Sequence, residues 1–279
     1  RLVQGVFDDL NRKTRKLWAY ADGPWDADRN TDEFVAAMPA WQAHGLTAFT
    51  LNLQGGNPRG YSDEQPWHNS AFESDGSLRP HYAGRLERIL DEADRLGMAV
   101  ILGLFYFGQD QRLADEAAVL QACDGTVDWL LQREYRHLII EICNECDAPK
   151  YEHEILQPHR VATLIRRVKD HADGRFPVGV SMGGGSLPPA TIVQASDVIL
   201  LHGNGVGDPL RIRNMVLQTR SMTCYRDQPI VFNEDDHFDF EAPDNNFIAA
   251  VKQHASWGLF DYRQEGDTVT AEECRRLSK

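Results

Sequence analysis

Long apolar runs are missing from this 279-residue chain. The longest, such as Ala99–Phe107, fall far below the roughly 20 residues a bilayer-spanning helix needs. Cysteine is scarce: Cys123, Cys143, Cys146, Cys224 and Cys274 are an odd set of 5, too few for a disulfide scaffold and expected as free thiols. Positive charge is short as well. Lys+Arg 29 against Asp+Glu 42 gives a net charge of −13, which disfavours nucleic acid or an anionic membrane as partner. No apolar leader follows Arg1, so location is left open between the cytoplasm and a secreted form whose signal has been removed. Repeats, low-complexity tracts and linkers are absent. A hydrophobic fraction of 42% with 25% charged residues is that of a folded protein, and the balance fits an enzyme acting on neutral substrates.

What is present is alternation. Strands are expected at Leu2–Phe7, Leu46–Leu53, Ala99–Phe107, Leu138–Cys143, Val178–Met182, Val198–His202, Ile230–Asn233 and Leu259–Tyr262. Most are near-continuous apolar runs, the pattern of parallel strands buried on both faces. Between them lie helical stripes. Phe34, Val35, Met38 and Trp41 mark a helix over Asp32–His44, with Thr31 as N-cap and Gly45 as stop. Leu86, Ile89, Leu90, Ala93 and Leu96 mark a second before Gly97, and Val161, Leu164, Ile165 and Val168 a third before Gly174. Eight strand signals with interleaved helices predict an α/β fold, a (β/α)8 TIM barrel forming one catalytic domain over residues 1–279. The irregular stretch Asp8–Asn30 is expected as a loop on the active face, and the last helix, about Thr270–Ser278, is short enough to read as incomplete.

Barrel chemistry sits where strands end. In order, those ends offer Asp8 and Asp9, Asn52 and Gln54, Phe105 and Tyr106, Asn144 and Glu145, Met182, His202 and Asn204, Asn233 and Glu234, then Tyr262. Two of them share one form, an apolar strand closing on Asn-Glu: Leu138–Glu145 and Pro229–Glu234. These are the fourth and seventh strands, opposite one another in an eight-stranded ring. Two carboxyl groups facing across a cleft are what glycosidic bond cleavage requires: one protonates the leaving oxygen, the other attacks the anomeric carbon or directs water. Glu141 shares the side-chain parity of Glu145 and is expected to point into the barrel as a structural support.

On these residues the chain resembles the clan of retaining (β/α)8 glycoside hydrolases that includes the family 5 cellulases and mannanases. The strand-four signature of that clan is similar to Ile139-Ile-Glu141-Ile-Cys-Asn144-Glu145, and its strand-seven signature to Pro229-Ile-Val-Phe-Asn-Glu234. The resemblance implies Glu145 as acid/base, Glu234 as nucleophile, Asn144 on the sugar 2-hydroxyl, and no cofactor. His202 falls where the clan often carries His-x-Tyr, here with Asn204 as the third residue. Strand three lacks the Asp-x-His of the cellulases and strand two lacks their Arg, which implies an atypical family with different sugar-binding walls.

Other residues are candidates for the carbohydrate partner. Trp67 and Tyr61 lie in the polar loop Gly55–Pro80, where no core demands them. Trp67 and Tyr106 are expected as sugar platforms, with Asn52, Asn204, Asp236 and Tyr262 lining the cleft; Trp41 and Trp129 fall on helical apolar faces and are expected in the core. Two rival functions stay open. His202, Asp235, Asp236 and His237 offer the mixed donors of a metal-dependent barrel hydrolase, and the altered strands two and three would also suit a carbohydrate-binding barrel without catalysis. Cys143-Asn-Glu-Cys146 is formally C-x-x-C but lacks a second pair. The glycine clusters Met182–Gly185 and Gly203–Gly207 lack phosphate-loop spacing.

Overall fold

The computed structural model describes residues 2–3, 19–55, 68–237 and 239–260. Parallel strands alternate with helices along them: β1 (Leu2–Val3), α1 (Ala27–Ala43), β2 (Ala48–Asn52), α2 (Pro80–Arg95), β3 (Ala99–Phe105), α3 (Glu116–Gln132), β4 (Leu138–Cys143), α4 (Val161–His171), β5 (Val178–Gly179), α5 (Ala190–Ala195), β6 (Ile199–His202), α6 (Pro209–Ser221), β7 (Ile230–Glu234), α7 (Asn246–Val251) and β8 (Ser256–Trp257). The strands form a 5-stranded sheet in the order β1-β2-β3-β4-β5 and a 3-stranded sheet in the order β6-β7-β8. Asp197 N–H donates to the Val178 carbonyl at 2.8 Å where the two sheets adjoin. Gly179 lets them meet, since a Cβ there would lie 2.5 Å from the Val198 carbonyl oxygen.

The two faces of the strands bury different things. Ile101 and Ile139 from β3 and β4 meet Val198, Leu200 and Val231 from the β6–β7 side in one apolar cluster. The inner faces of both sheets therefore enclose a common interior, the filled lumen of a barrel. On the outer face, Leu102, Leu104, Ile140 and Ile142 pack with Leu86, Ile89, Val119 and Leu164 of the helices. Ile199, Leu201 and Phe232 do the same with Ile212, Met215 and Val216. Trp41 and Trp129 are partly buried against the first of these layers, as their helical spacing predicts.

Helix ends follow local chemistry. Gly45, Gly97 and Gly174 follow α1, α2 and α4 with φ of +89°, +67° and +67°, the left-handed conformation that glycine adopts without a Cβ penalty. The start of α1 differs from the sequence expectation. Asp26 caps it, accepting from the backbone N–H of Asp28 and Arg29 at 2.9 and 3.1 Å. Thr31 is buried one turn inside, its hydroxyl donating to the Ala27 carbonyl at 3.0 Å. The polar first turn carries no apolar stripe, so periodicity alone starts the helix a turn late.

The last strand also differs. It lies at Ser256–Trp257, paired with Val231 and Phe232 of β7; of the expected Leu259–Tyr262, only Leu259 and Phe260 are described, and they are not in a strand. A two-residue strand offers no alternation to read, and the apolar Leu259-Phe260 pair beyond it draws the assignment forward. Phe260 N–H instead donates to the Asp235 carbonyl at 2.8 Å. Asp8, Asp9, Tyr61, Trp67, Tyr262, Cys274 and the helix expected near Thr270–Ser278 lie outside the described residues. Cys123, Cys143, Cys146 and Cys224 are free thiols. Among the described residues no helix is long and apolar enough to cross a membrane.

Candidate active site

Strands β4, β6 and β7 bring three ionisable groups together at their C-terminal ends. His202 Nδ1 lies 3.0 Å from Glu145 Oε1 and 3.7 Å from Glu234 Oε2. One carboxylate oxygen of Glu145, one of Glu234 and a ring nitrogen of His202 all fall within 4.8 Å of one another. The Asn144 and Asn204 amides each donate to Glu234 at 3.0 Å, one to Oε1 and one to Oε2. Both Asn-Glu strand ends thus converge, with residues 144 and 234 bonded across the lumen.

How Glu234 comes to face this point is not obvious from its strand. Phe232, two residues earlier, packs outward among the helices, and strict alternation would send Glu234 the same way. The β6–β7 register shifts between Leu201 and His202: Leu201 pairs with Phe232, but His202 pairs with Glu234. Asn233 is the extra residue of a bulge, and bulges re-aim a side chain beside active sites. The inserted residue turns Glu234 inward.

Glu145 is placed by backbone strain. Its φ is +48°, a left-handed conformation that costs a non-glycine residue about 1 kcal/mol or more. Ser181, just past β5, holds it there. The Ser181 hydroxyl accepts from Glu145 N–H at 2.9 Å, and the Ser181 carbonyl accepts from Cys146 N–H at 3.0 Å. Tyr151 completes the support, its hydroxyl donating to the Asn144 carbonyl at 2.6 Å. The Glu145 side chain is 20% exposed whereas those of Glu234 and His202 are 0% exposed. Glu145 borders a cleft of about 370 Å³ lined also by Phe107, Asp147, Lys150 and Gly183.

Burial and charge act against each other on these groups. Burial by itself pulls the His202 pKa down, but Glu234, Glu145 and Glu141 together outweigh it and hold the ring at about 9. Burial raises Glu234 above the usual carboxylate range, with His202 opposing it. Glu141, fully buried in the lumen as its parity predicts, is pushed up to about 7 by desolvation, again with His202 opposing. These shifts have a consequence for folding. A histidine raised from 6.5 to about 9 stabilises the fold fully below 6.5 and loses that contribution as pH climbs through 9. A glutamic acid raised from 4.5 to about 7 favours the fold below 4.5 and loses that as pH climbs through 7. Both slopes have the same sign. Urea denaturation is therefore expected to show lower stability at pH 9 than at pH 5.5, by on the order of 5 kcal/mol for two such groups; a flat or rising profile would contradict the charge assignment.

The other sequence candidates separate. Asn52 is buried beside Glu141, its side chain occupying the space above Gly103, where a Cβ would lie 1.9 Å from its Oδ1. Gln54 ties neighbouring loops together: its amide donates to Ser70 Oγ at 3.2 Å and accepts from Tyr106 N–H at 3.2 Å. Tyr106 does not line an open cleft. It is 1% exposed in the core, with its ring centroid 4.5 Å from that of Phe107. Asp236 is likewise occupied, its Oδ1 accepting from Gly205 N–H at 2.8 Å and lying 2.6 Å from His237 Nδ1.

The residues of the metal reading fall into two groups, with His202 beside Glu145 and Glu234 and apart from Asp235, Asp236 and His237. Asp235 is engaged on both oxygens: Oδ1 accepts from His237 N–H at 2.9 Å and from the Asn246 amide at 3.1 Å, and Oδ2 accepts from Trp257 Nε1 at 2.8 Å. That set reads as a clamp between the β7 and β8 ends. Two positions were not singled out by sequence. Trp257 ends β8 but sits in a strand too short to recognise; Ser181 lies just past β5 and was legible as a polar residue closing an apolar run.

No family model and no curated protein matches this chain. Solved structures do match in fold. The glycoside hydrolase family 5 enzyme PbGH5A from Prevotella bryantii B14 is 12% identical, with a TM-score of 0.56 over 89% of this chain and 88% of that one. An endo-1,4-beta-mannanase from Rhizomucor miehei is 12% identical, TM-score 0.55, over 91% and 85%. The exo-beta-1,4-mannosidase Op5Man5 from an Opitutaceae bacterium, strain TAV5, is 15% identical, TM-score 0.58, over 99% of this chain and 54% of that one. The chain has the TIM-barrel fold of these glycoside hydrolases.

Proposed function

We propose that this chain is a retaining glycoside hydrolase, a single (β/α)8 catalytic domain acting on a carbohydrate without a cofactor. The observation that carries the reading is the meeting of Glu145 and Glu234 from opposite strands, with carboxylate oxygens within 4.8 Å of each other. Retaining enzymes hold their carboxyl groups about 5–5.5 Å apart, whereas inverting enzymes need about 6.5–9.5 Å to admit water. The fold neighbours support the same chemistry, being in their own right enzymes such as a beta-glucosidase and an endoglucanase.

Glu145 stands at the cleft and Glu234 beneath it, so a glycosyl ring reaches the buried carboxylate from the Glu145 side. Glu145 protonates the departing oxygen while a Glu234 oxygen attacks the anomeric carbon, giving a glycosyl ester. Forming that ester consumes the negative charge of Glu234. Glu145, having given its proton to the leaving oxygen, then accepts one from the incoming water in the second step. Asn144 and Asn204 hold the attacking carboxylate in one rotamer; the cleft of Phe107, Asp147, Lys150 and Gly183 receives the leaving group.

A panel of aryl glycosides, with the first-formed product followed by proton NMR, tests this. Hydrolysis with the starting anomeric configuration is expected. A first product of opposite configuration contradicts the double displacement, and sugar binding without turnover on any member would favour the non-catalytic barrel.

A further inference from the structure

The turn that carries Glu145 carries a second carboxylate. It closes with Ala148 N–H donating to the Glu145 carbonyl at 2.8 Å, and it is laced to the stretch that follows β5. Glu145 N–H and Cys146 N–H donate to the Ser181 hydroxyl and carbonyl at 2.9 and 3.0 Å. Further out, Gly183 N–H donates to Asp147 Oδ1 at 2.7 Å. Cys146 is buried and Asp147 exposed, so the side chain at 147 leaves the core and borders the cleft beside Glu145. Both of its oxygens stay near Gly183, where a Cβ would lie 3.5 Å from Oδ1 and 3.6 Å from Oδ2. Oδ2 accepts no hydrogen bond from any described residue. One oxygen thus anchors the carboxylate, and the other is offered to whatever fills the cleft.

We propose that Asp147 selects the leaving group: its carboxylate accepts hydroxyl hydrogens of a neutral sugar, so the bond cleaved joins two sugars rather than a sugar and an apolar aglycone. This rests on the glycosidase reading of Glu145 and Glu234. An ionised carboxylate only accepts, and its hydrogen bonds are about twice as strong as those between neutral groups. A sugar brings several hydroxyl donors; an alkyl or aryl aglycone brings none. The anchor to Gly183 fixes the side chain before the substrate arrives, so less freedom is lost on binding. The rest of the lining agrees. Phe107, 5% exposed, gives an apolar wall. Glu145 and Asp147 set two carboxyl groups against the single ammonium of Lys150 among the lining residues, which disfavours a leaving group bearing its own negative charge. The volume of about 370 Å³ falls near the lower end of the roughly 300–1,000 Å³ of ligand pockets, the scale of a short sugar rather than a long chain.

The site that releases a sugar also receives one when the glycosyl-enzyme reacts with an alcohol instead of water. In that step the acceptor oxygen bonds the anomeric carbon, the ester to Glu234 breaks, and the acceptor proton goes to Glu145. The enzyme is labelled with the 2-deoxy-2-fluoro form of an aryl glycoside it cleaves, and return of activity is timed in water alone and with D-glucose, D-mannose, D-glucuronate or cyclohexanol. At least one neutral sugar is expected to speed release, and glucuronate and cyclohexanol to leave it at the rate in water. In Asp147→Ala the second-order rate constant for the sugar is expected to fall about tenfold more than release to water. Asp147→Asn keeps an acceptor for Gly183 N–H but loses the charge, and is expected to fall with Asp147→Ala. Release insensitive to both sugars, cyclohexanol or glucuronate matching them, Asp147→Asn matching wild type, or equal losses with sugar and with water each overturn the proposal. A wild-type protein that takes no label removes the glycosidase reading and this one with it; a labelled protein whose release ignores Asp147 removes this one alone.

Discussion

Glu234→Ala is expected to lose about ten-thousand-fold or more in kcat while the barrel stays folded. Glu234 is the group whose oxygen forms the covalent bond, and the surrounding side chains offer no replacement: the Asn144 and Asn204 amides that hold its oxygens at 3.0 Å are donors there, not nucleophiles. The truncation leaves a space beside the anomeric carbon, on the face from which Glu234 attacks. Azide supplied with an activated glycoside would enter it and give a glycosyl azide of inverted configuration, one bond formed as the leaving group departs. Removing one member of a buried charged set destabilises as well, so Glu234→Gln, which keeps the side-chain volume and one acceptor oxygen for one of the two amides, serves as the folding control. Either variant with near wild-type turnover would reassign the nucleophile.

Glu145→Ala is expected to lose roughly a hundred- to ten-thousand-fold, and the size of the loss depends on the leaving group. A poor leaving group such as a sugar needs the proton that Glu145 donates; a nitrophenolate departs without it. The first step should therefore survive on activated aryl glycosides and collapse on disaccharides. The second step lacks its base for both, so the glycosyl-enzyme accumulates and a burst of aryl alcohol precedes slow turnover. Equal losses on both substrate types, with no burst, would place the acid elsewhere. The same variant removes the 3.0 Å contact to His202.

The barrel is legible in the sequence because its strands are short apolar runs that burial on two faces requires, and β4 at Leu138–Cys143 falls where the pattern puts it. Three features hide. The start of α1 is decided by the Asp26 carboxylate on two N–H groups, a local capping choice that apolar spacing does not record. Strand β8 has too few residues to show a period. The aim of Glu234 depends on the bulge at Asn233, a property of the β6–β7 pairing that no single strand contains. For the same reason the identity of the facing pair was readable from two Asn-Glu strand ends, while its mutual geometry was not. Tyr106 shows the opposite limit: an aromatic at a strand end has the composition of a sugar platform, and only packing reveals that it is core.

Double displacement requires a covalent bond to Glu234. A 2-deoxy-2-fluoro glycoside with a good leaving group measures it most directly, because fluorine destabilises both transition states while the leaving group still drives the first step. Peptide mass spectrometry is expected to find one label per chain, on the peptide containing Glu234 and on that carboxylate, with activity lost in proportion. A label on another residue, or hydrolysis continuing with no label at all, would contradict the double displacement at this site.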